Sequence, residues 1–180
     1  SKLVVEDLSH QETRDVVDLI FRRTEELYQR DQTKEVLTVD NHADGVYLYL
    51  KLKQEHPDRA AEVLRLLKWN GGNRSGLSIA DVDNQGNVHA EQFWRHYSFG
   101  NVRERSFADI WEDTSDSLMA GLKDRNHLLT GRCARCQHLD ICSGNFRVRA
   151  EAVHGDIWAP DPACYLTDEE IGVVAGTVPA

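Results

Sequence analysis

The four cysteines of this 180-residue chain all lie in its last third, as Cys133-x2-Cys136-x5-Cys142-x21-Cys164. The short gap within the first pair lets two sulfurs leave one tight turn and reach a common centre. The other two sulfurs arrive from further along the chain. Thiolates arranged in this way hold a metal ion or an iron–sulfur cluster. The spacing therefore predicts that all four cysteines are ligands of one inorganic centre.

Two kinds of centre suit four thiolates, a tetrahedral zinc ion and a cubane iron–sulfur cluster. Zinc sites usually combine two C-x2–4-C pairs, whereas only the first pair has that spacing here. A cubane is larger than one ion and spreads its ligands more widely, so the uneven spacing favours a cluster and leaves zinc as the alternative. His138 and His154 lie nearby in the sequence, but four cysteines make a histidine ligand unnecessary.

Composition and charge predict a cytoplasmic protein. No apolar run approaches the ~20 residues that span a membrane, and residues 1–5 lack the pattern of a signal peptide. Disulfides are rare in the cytosol, and a thioredoxin-like redox pair would leave Cys142 and Cys164 unexplained. The net charge of −9 and the lack of a basic stripe with interleaved aromatic residues disfavour a nucleic-acid partner.

Arginines are concentrated around the first three cysteines, namely Arg132, Arg135, Arg147 and Arg149. A cluster held by four thiolates carries net negative charge, which nearby guanidinium groups would offset. A solvated basic patch would explain the same arginines, and both interpretations stay open at this point.

The first part of the chain has the pattern of an α/β fold. A capping box at Ser9–Glu12 opens a helix, residues 35–39 form a strand pattern, and residues 46–52 belong to a second helix. Pro57 suits the first turn of a third helix. This order of elements is typical of a parallel sheet with crossovers. Residues 1–76 are therefore predicted to be the C-terminal part of a partial (β/α) barrel.

The glycine-rich stretch 70–76 is the predicted boundary, and residues 77–180 form a second, α+β domain. Its predicted elements are a hairpin of residues 77–82 and 88–93, an extended piece at 99–102, helices at 106–111 and 115–125, and a short terminal helix opened by a capping box at 167–170.

One stretch of the second domain resembles a known family. Residues 100–111, GNVRERSFADIW, are followed by the C-x2-C-x5-C segment and by a GD…DPAC ending at residues 155–164. This order is similar to that of radical S-adenosylmethionine (SAM) enzymes with a SPASM or twitch extension, over roughly residues 77–170. The resemblance implies a β-hairpin and helix domain that holds an auxiliary 4Fe-4S cluster.

A narrower resemblance runs through nearly the whole chain, in residues 38–45, 92–94, 144–152 and 158–170. These segments are similar to the radical SAM family of haem d1 biosynthesis. That family implies removal of propionate side chains from didecarboxysirohaem, a tetrapyrrole substrate. It also implies a reductant protein as a partner.

The chain departs from the family pattern in two ways. Full SPASM domains have seven cysteines and two auxiliary clusters, whereas this chain has four cysteines and Phe146 stands where another would be expected. A single auxiliary cluster is therefore implied. The radical SAM motif C-x3-C-x2-C is absent, so the chain alone is expected to be inactive, with no catalytic residue of its own. SAM and a second 4Fe-4S cluster are expected on an N-terminal half of the same enzyme.

Five residues are candidates for contact with the tetrapyrrole. Asp40, Asn41 and His42 follow the predicted strand, where barrel enzymes place site residues, although Asp40 or Asn41 could simply cap the next helix. Trp94 and His96 could face a flat macrocycle, or could belong to a core behind the cluster. Two further classes remain as alternatives, a zinc-stabilised binding module without a catalytic role and a stand-alone electron carrier.

Overall fold

The computed structural model describes residues 7–174, so residues 1–5 lie outside the part that can be compared with the sequence analysis. Within residues 7–174, two antiparallel strands, seven α-helices and one 3₁₀ helix follow one another. They are α1 His10–Gln29, α2 Ala43–Glu55, α3 Pro57–Asn70, β1 Asp81–Val82, β2 Val88–His89, α4 Phe107–Glu112, α5 Ser117–Lys123, the 3₁₀ helix Cys133–Arg135, α6 Leu139–Cys142 and α7 Arg147–His154.

The three predicted helices of the first part are confirmed. The Ser9 hydroxyl accepts a bond from the Glu12 N–H at 3.2 Å, and the Glu12 carboxylate accepts one from the Ser9 N–H at 2.8 Å, so the capping box forms. Helix α3 begins at Pro57 and ends at Gly71, whose φ of +72° suits a residue without a Cβ. Helices α2 and α3 pack against each other and against α6.

The predicted strand at residues 35–39 is wrong, because the structure has no regular element between residues 32 and 39. A strand needs a neighbour that pairs with its N–H and C=O groups, and the described residues supply none. Leu37 is 75% exposed and Val39 73% exposed. The described part of residues 1–76 accordingly shows three helices and an extended segment, without the parallel sheet of a barrel.

The predicted hairpin is confirmed, with shorter strands than expected. Asp81 pairs with His89 and Val82 with Val88. The Asp83 carboxylate closes the turn by accepting bonds from the N–H groups of Gln85 at 2.9 Å and Asn87 at 2.8 Å. The predicted extended piece then lies beside β2, because the Phe99 N–H donates to the Val88 carbonyl at 2.9 Å.

Helices α4 and α5 are confirmed, but the predicted terminal helix is wrong. The Thr167 N–H donates to the Glu170 carboxylate at 2.8 Å and the Glu170 N–H to the Thr167 hydroxyl at 3.2 Å, so the bonds of a capping box exist. The chain nevertheless makes only a turn there. Gly172, with φ of +74°, reverses its direction before a second helical turn can form.

Two hydrophobic clusters hold these elements together. The first includes Val46 of α2, Ile141 of α6 and Tyr165, with Cys136, Cys142 and Cys164 packed against it. The second surrounds Trp94 and Leu122. Since the first cluster combines residues from before and after position 76, the two predicted segments share a core, and their division into domains stays a prediction. In the described part of the chain, no helix has the length and apolar character to cross a bilayer.

Candidate metal centre

The structure brings the four cysteines to one cavity, where all are free thiols. Cys133 begins the 3₁₀ helix and Cys136 follows it, Cys142 ends α6, and Cys164 lies in the turn after Asp161. Three separate pieces of backbone therefore deliver the four side chains, with Cys133 and Cys136 on the same turn. The rest of the wall is mainly apolar, from Ala43, Val46, Leu139, Leu166 and Ile171.

Tight backbone packing fixes the position of Cys142. Gly72, with φ of +70°, lies so close that a Cβ there would be 2.6 Å from the Cys142 Cα. The Asn73 N–H donates to the Cys142 carbonyl at 3.2 Å. After Cys142 the chain turns through Ser143 and Gly144, both with positive φ. The glycine-rich stretch predicted as a boundary is thus part of the wall behind a cysteine.

Burial controls the charge of these thiols. It raises the pKa of Cys142 to about 12 and that of Cys164 to about 11. Both groups are protonated at neutral pH when nothing is bound, and a metal centre must displace those protons.

The chemistry of the lining, and not an ion-sized arrangement of donors, is what fits a metal centre here. In residues 7–174 no three His, Cys, Asp or Glu side chains are placed so that they could hold a metal ion. The four cysteines nevertheless line one cavity. Four soft thiolates around an apolar cavity are the donor set of an iron–sulfur cluster.

The arginines near the cysteines have different environments. Arg132 lines the cavity and pairs with Asp168 at 3.0 Å, and Arg149 pairs with both oxygens of Asp161 at 2.8 and 2.9 Å. Arg147 is only 1% exposed. A solvated basic patch is therefore the wrong description for Arg147.

The loop of Asp40, Asn41 and His42 is tied to the cysteine region. The Asn145 side chain accepts a bond from the His42 N–H at 3.0 Å and donates to the Asn41 side chain at 2.7 Å. The His42 ring stacks on Phe146 at 5.8 Å. Asp40 is exposed, and its carbonyl accepts bonds from Arg149. Asn41 also accepts a bond from the Ala43 N–H at 3.2 Å, but the N-cap of α2 is His42, so neither Asp40 nor Asn41 occupies the predicted cap position.

Trp94 and His96, the other two candidates for tetrapyrrole contact, line neither of the cavities described for this chain. Trp94 is 1% exposed in the second hydrophobic cluster, and its indole N–H donates to Glu151 at 2.6 Å. This position gives it a core role and leaves no ring face open to a macrocycle. His96 is exposed and bonds to Glu151 at 3.1 Å. The neighbouring Phe93 is half-exposed and meets Phe146 at 6.0 Å.

The sequence analysis missed Phe93 and Asn145. Phe93 lies in a turn after β2, where no strand alternation indicates which side chain is buried. A signal existed only for Asn145. Asn145 has φ of +61°, and an asparagine directly after a glycine is a common residue for that conformation.

A second and larger cavity, of about 860 Å³, lies between α1, α2, α3 and the extended segment before α2. Asn41 and His42 line it, whereas Ala43 and Val46 line the cysteine cavity. The first turn of α2 therefore separates the two cavities. Burial, with the nearby charge of Arg149, lowers the pKa of His42, so its imidazole is neutral at pH 7.

Comparisons with known proteins agree with this description. Residues 75–137 match the family model of the SPASM iron-sulfur cluster-binding domain, a range that contains Cys133 and Cys136. The Fe-coproporphyrin III synthase of Methanosarcina barkeri is 63% identical over 175 residues, which are 96% of this chain and 44% of that protein. The pre-heme d1 synthase of Dinoroseobacter shibae is 41% identical over 172 residues, or 93% of this chain and 42% of that protein.

A shorter match joins this chain to the AdoMet-dependent heme synthase of Methanosarcina barkeri, which is 37% identical over 65 residues, 36% of this chain and 18% of that protein. No solved structure matches the chain. The chain spans less than half the length of the two relatives that cover it almost completely. These matches confirm the resemblance found in the sequence: the chain contains a SPASM domain and is related to the radical SAM proteins of haem synthesis.

Proposed function

We propose that this chain is the C-terminal portion of a radical SAM enzyme of haem synthesis, in which Cys133, Cys136, Cys142 and Cys164 hold one auxiliary 4Fe-4S cluster. The observation that carries the proposal is that four cysteines from three separate segments line one cavity, in a chain that matches an iron-sulfur cluster-binding domain. When bound, such a cluster would supply one-electron transfer or help to position the substrate. Four protein thiolates leave no iron site open to the substrate.

The residues of this chain would hold the substrate beside that centre. His42 and Asn41 line the large cavity and are joined through Asn145 to the segment that follows Cys142. Phe93 and Phe146 extend the aromatic surface that begins at His42. A flat tetrapyrrole could stack on these rings.

The proposed substrate class is an iron tetrapyrrole, with two specific forms. One form follows from the resemblance to the haem d1 family, which implies removal of propionate side chains from didecarboxysirohaem; the 41% identity to a pre-heme d1 synthase supports it. The 63% identity to an Fe-coproporphyrin III synthase supports formation of that compound as the alternative. SAM, a second 4Fe-4S cluster and a reductant protein would act with the N-terminal half. The cytoplasm remains the predicted compartment.

Exposed apolar residues support an N-terminal half as the partner of this chain. Leu37 and Val39 are largely solvent-exposed on the extended segment, and Trp69 of α3 is 84% exposed. Large apolar groups of this kind often belong to an interface. The remaining length of the relatives is sufficient for a second domain.

Metal analysis after anaerobic reconstitution with iron and sulfide tests the proposal. The unsubstituted chain should contain about four iron and four sulfide per polypeptide and absorb broadly near 400 nm. The Cys142→Ser variant should lose most of both because one ligand is missing. His154→Ala is the matched control, since His154 is an exposed residue at the end of α7, and it should keep full iron content.

The rival function, a zinc-stabilised module, predicts a different outcome. A colourless chain that binds one zinc, and takes up no iron under anaerobic conditions, would contradict the cluster. Full iron content in Cys142→Ser would exclude the proposed ligand set.

A further inference from the structure

Arg147 is a buried charge without a charged partner. It begins α7 and is 1% exposed. Its guanidinium donates to the carbonyls of Ile157 at 3.0 Å, Ala159 at 2.7 Å, and Gly144. Carbonyl oxygens satisfy the N–H groups but leave the net charge in place. A buried charge costs several kcal/mol unless an opposite charge lies close by.

Arg125 is also buried, at 4% exposed, and makes no ion pair within 4.0 Å in the described part of the chain, but its Nε–H donates to the Leu122 carbonyl at 3.2 Å. Arg132 is paired with Asp168 and Arg149 with Asp161. Among residues 7–174, Arg147 forms no ion pair with an acidic side chain within 4.0 Å. Its Nε–H group is also buried without a hydrogen-bond acceptor. Both its charge and one of its donors therefore lack a counterpart.

The guanidinium of Arg147 lies behind Gly144, one residue back from the lining of the cysteine cavity. Gly144 lines that cavity, and a Cβ on Gly144 would be 3.5 Å from the Arg147 Cζ. Burial lowers the pKa of Arg147, and the nearby ionisable groups Cys133, Asp161, Cys142 and Asp156 oppose this effect. Asp161 is already paired with Arg149 and Asp156 is exposed to solvent, so the buried counter-charge would come from the cysteine thiolates once a metal centre is bound.

We propose that Arg147 is the internal counter-charge of the centre held by the four cysteines and raises its reduction potential. This inference rests on the proposed function, in which the centre is a 4Fe-4S cluster. Uptake of one electron from a reductant such as dithionite makes the cluster one charge more negative. A fixed cation in a water-poor environment stabilises that reduced state more than a solvated cation does. Arg147 touches no substrate and acts through the cluster.

Dithionite titration of the reconstituted chain, followed by electron paramagnetic resonance, measures the effect. Arg147→Met removes the charge and keeps an apolar volume, a change that buried ionic sites often tolerate. The potential should shift to more negative values. Arg147→Lys keeps the charge and should stay near the unsubstituted potential. Arg22→Met is the control, because it removes a charge from the exposed face of α1.

The variants separate an electrostatic role from a structural one. Equal potentials for Arg147→Met and the unsubstituted chain would overturn the inference while the cluster itself stands. If Arg147→Lys shifted the reduction potential as far as Arg147→Met does, the positive charge would not be the cause, and Arg147 would have a structural role only. A chain without iron would overturn the proposed function and this inference together.

A measurement on the unsubstituted chain covers the case in which Arg147→Met does not fold. Salt screens exposed charges strongly and buried charges weakly. The potential should therefore change little between low and high ionic strength. A potential that falls steeply with added salt would show that exposed charges set it, and would overturn the role of Arg147.

Discussion

The two cavities on either side of the first turn of α2 are built in opposite ways. The cysteine cavity leaves about 20 Å³ free, little more than the room for one water molecule. The neighbouring cavity has about 860 Å³ and a lining of mixed polarity, with Lys51, Glu55 and Arg59 beside apolar groups. The first is closed by backbone turns, whereas the second is bordered by helices and an extended segment without regular structure.

This difference indicates different kinds of occupant. Ligands of an inorganic centre must be fixed to within a fraction of an ångström, and the turns around Cys142 provide that rigidity. The free space of about 20 Å³ is smaller than a cluster, so the cavity must widen when one is loaded. The large cavity has the size range of sites for organic molecules. Substitutions on each side can show whether the two cavities are as distinct as their walls suggest.

The largest effect is expected for Gly72→Ala, behind the cysteine cavity. A Cβ there would lie 2.5 Å from the Cys142 carbonyl oxygen and 2.6 Å from its Cα. Both are backbone atoms, so the strain cannot be relieved by rotation of a side chain. We expect a loss of about 3 kcal/mol or more in the free energy of unfolding and a fall in iron content, measured by urea denaturation and metal analysis.

Gly155→Ala is the matched control for that substitution. Gly155 also has a positive φ, of +67°, but a Cβ there meets nothing within 4 Å. It should lose only the ~1 kcal/mol that alanine costs in a left-handed conformation and should keep its iron. Equal losses for the two variants would contradict the close approach of Gly72 to Cys142.

A smaller effect is expected for His42→Ala at the large cavity. Iron coproporphyrin III serves as the probe, titrated into the reconstituted chain and followed by absorbance. Loss of one stacked ring should weaken binding about fivefold, equivalent to about 1 kcal/mol. Iron content should not change, because His42 lines the other cavity.

His96→Ala is the control for the tetrapyrrole surface. His96 is an exposed imidazole that bonds to Glu151, whereas the stacked rings are those of His42 and Phe146. It should leave affinity for the probe unchanged. If His96→Ala weakened the binding of iron coproporphyrin III more than His42→Ala does, the macrocycle would lie beside His96 instead of beside His42.

Local patterns in the sequence were sufficient for elements whose bonds are local. Capping boxes, the proline of α3 and the turn of the hairpin all depend on residues within a few positions of each other. The strand predicted at residues 35–39 failed because pairing partners are not encoded in the segment itself. The alternating apolar residues of this segment favour a strand, but none of the described residues forms a neighbouring strand with which it could pair.

The candidate site likewise has features that the sequence predicted and features that only the fold reveals. Cysteine spacing indicated one common centre because ligand chemistry restricts it strongly, and the four thiols do line one cavity. The choice of Trp94 relied on residue type alone, and type does not tell which face of the chain is buried. The unpaired charge of Arg147 could not be read from the sequence either, since burial and the lack of an acidic neighbour are properties of the fold.

The smallest effect concerns a buried polar network in the part of the molecule that holds the cysteine cavity. Glu91 is 3% exposed, accepts a bond from the Ser75 hydroxyl, and has one carboxylate oxygen without a partner. Burial raises its pKa. The folded chain therefore binds this proton more tightly than the unfolded chain, whose glutamate has a pKa of about 4.3. The stabilisation is complete below that value and is lost as the pH rises through the folded pKa.

Glu91→Gln should remove this pH dependence, because the amide has no charge to bury. Its free energy of unfolding should exceed that of the unsubstituted chain by about 1 kcal/mol at pH 7, with the difference shrinking toward pH 5. Urea denaturation across that interval measures it, and Glu112→Gln, an exposed change on α4, should show no trend. If Glu91→Gln were less stable by the same amount at every pH, the carboxylate would be a stabilising partner of Arg125, and the region around the cysteine cavity would depend on its buried charges as well as on its turns.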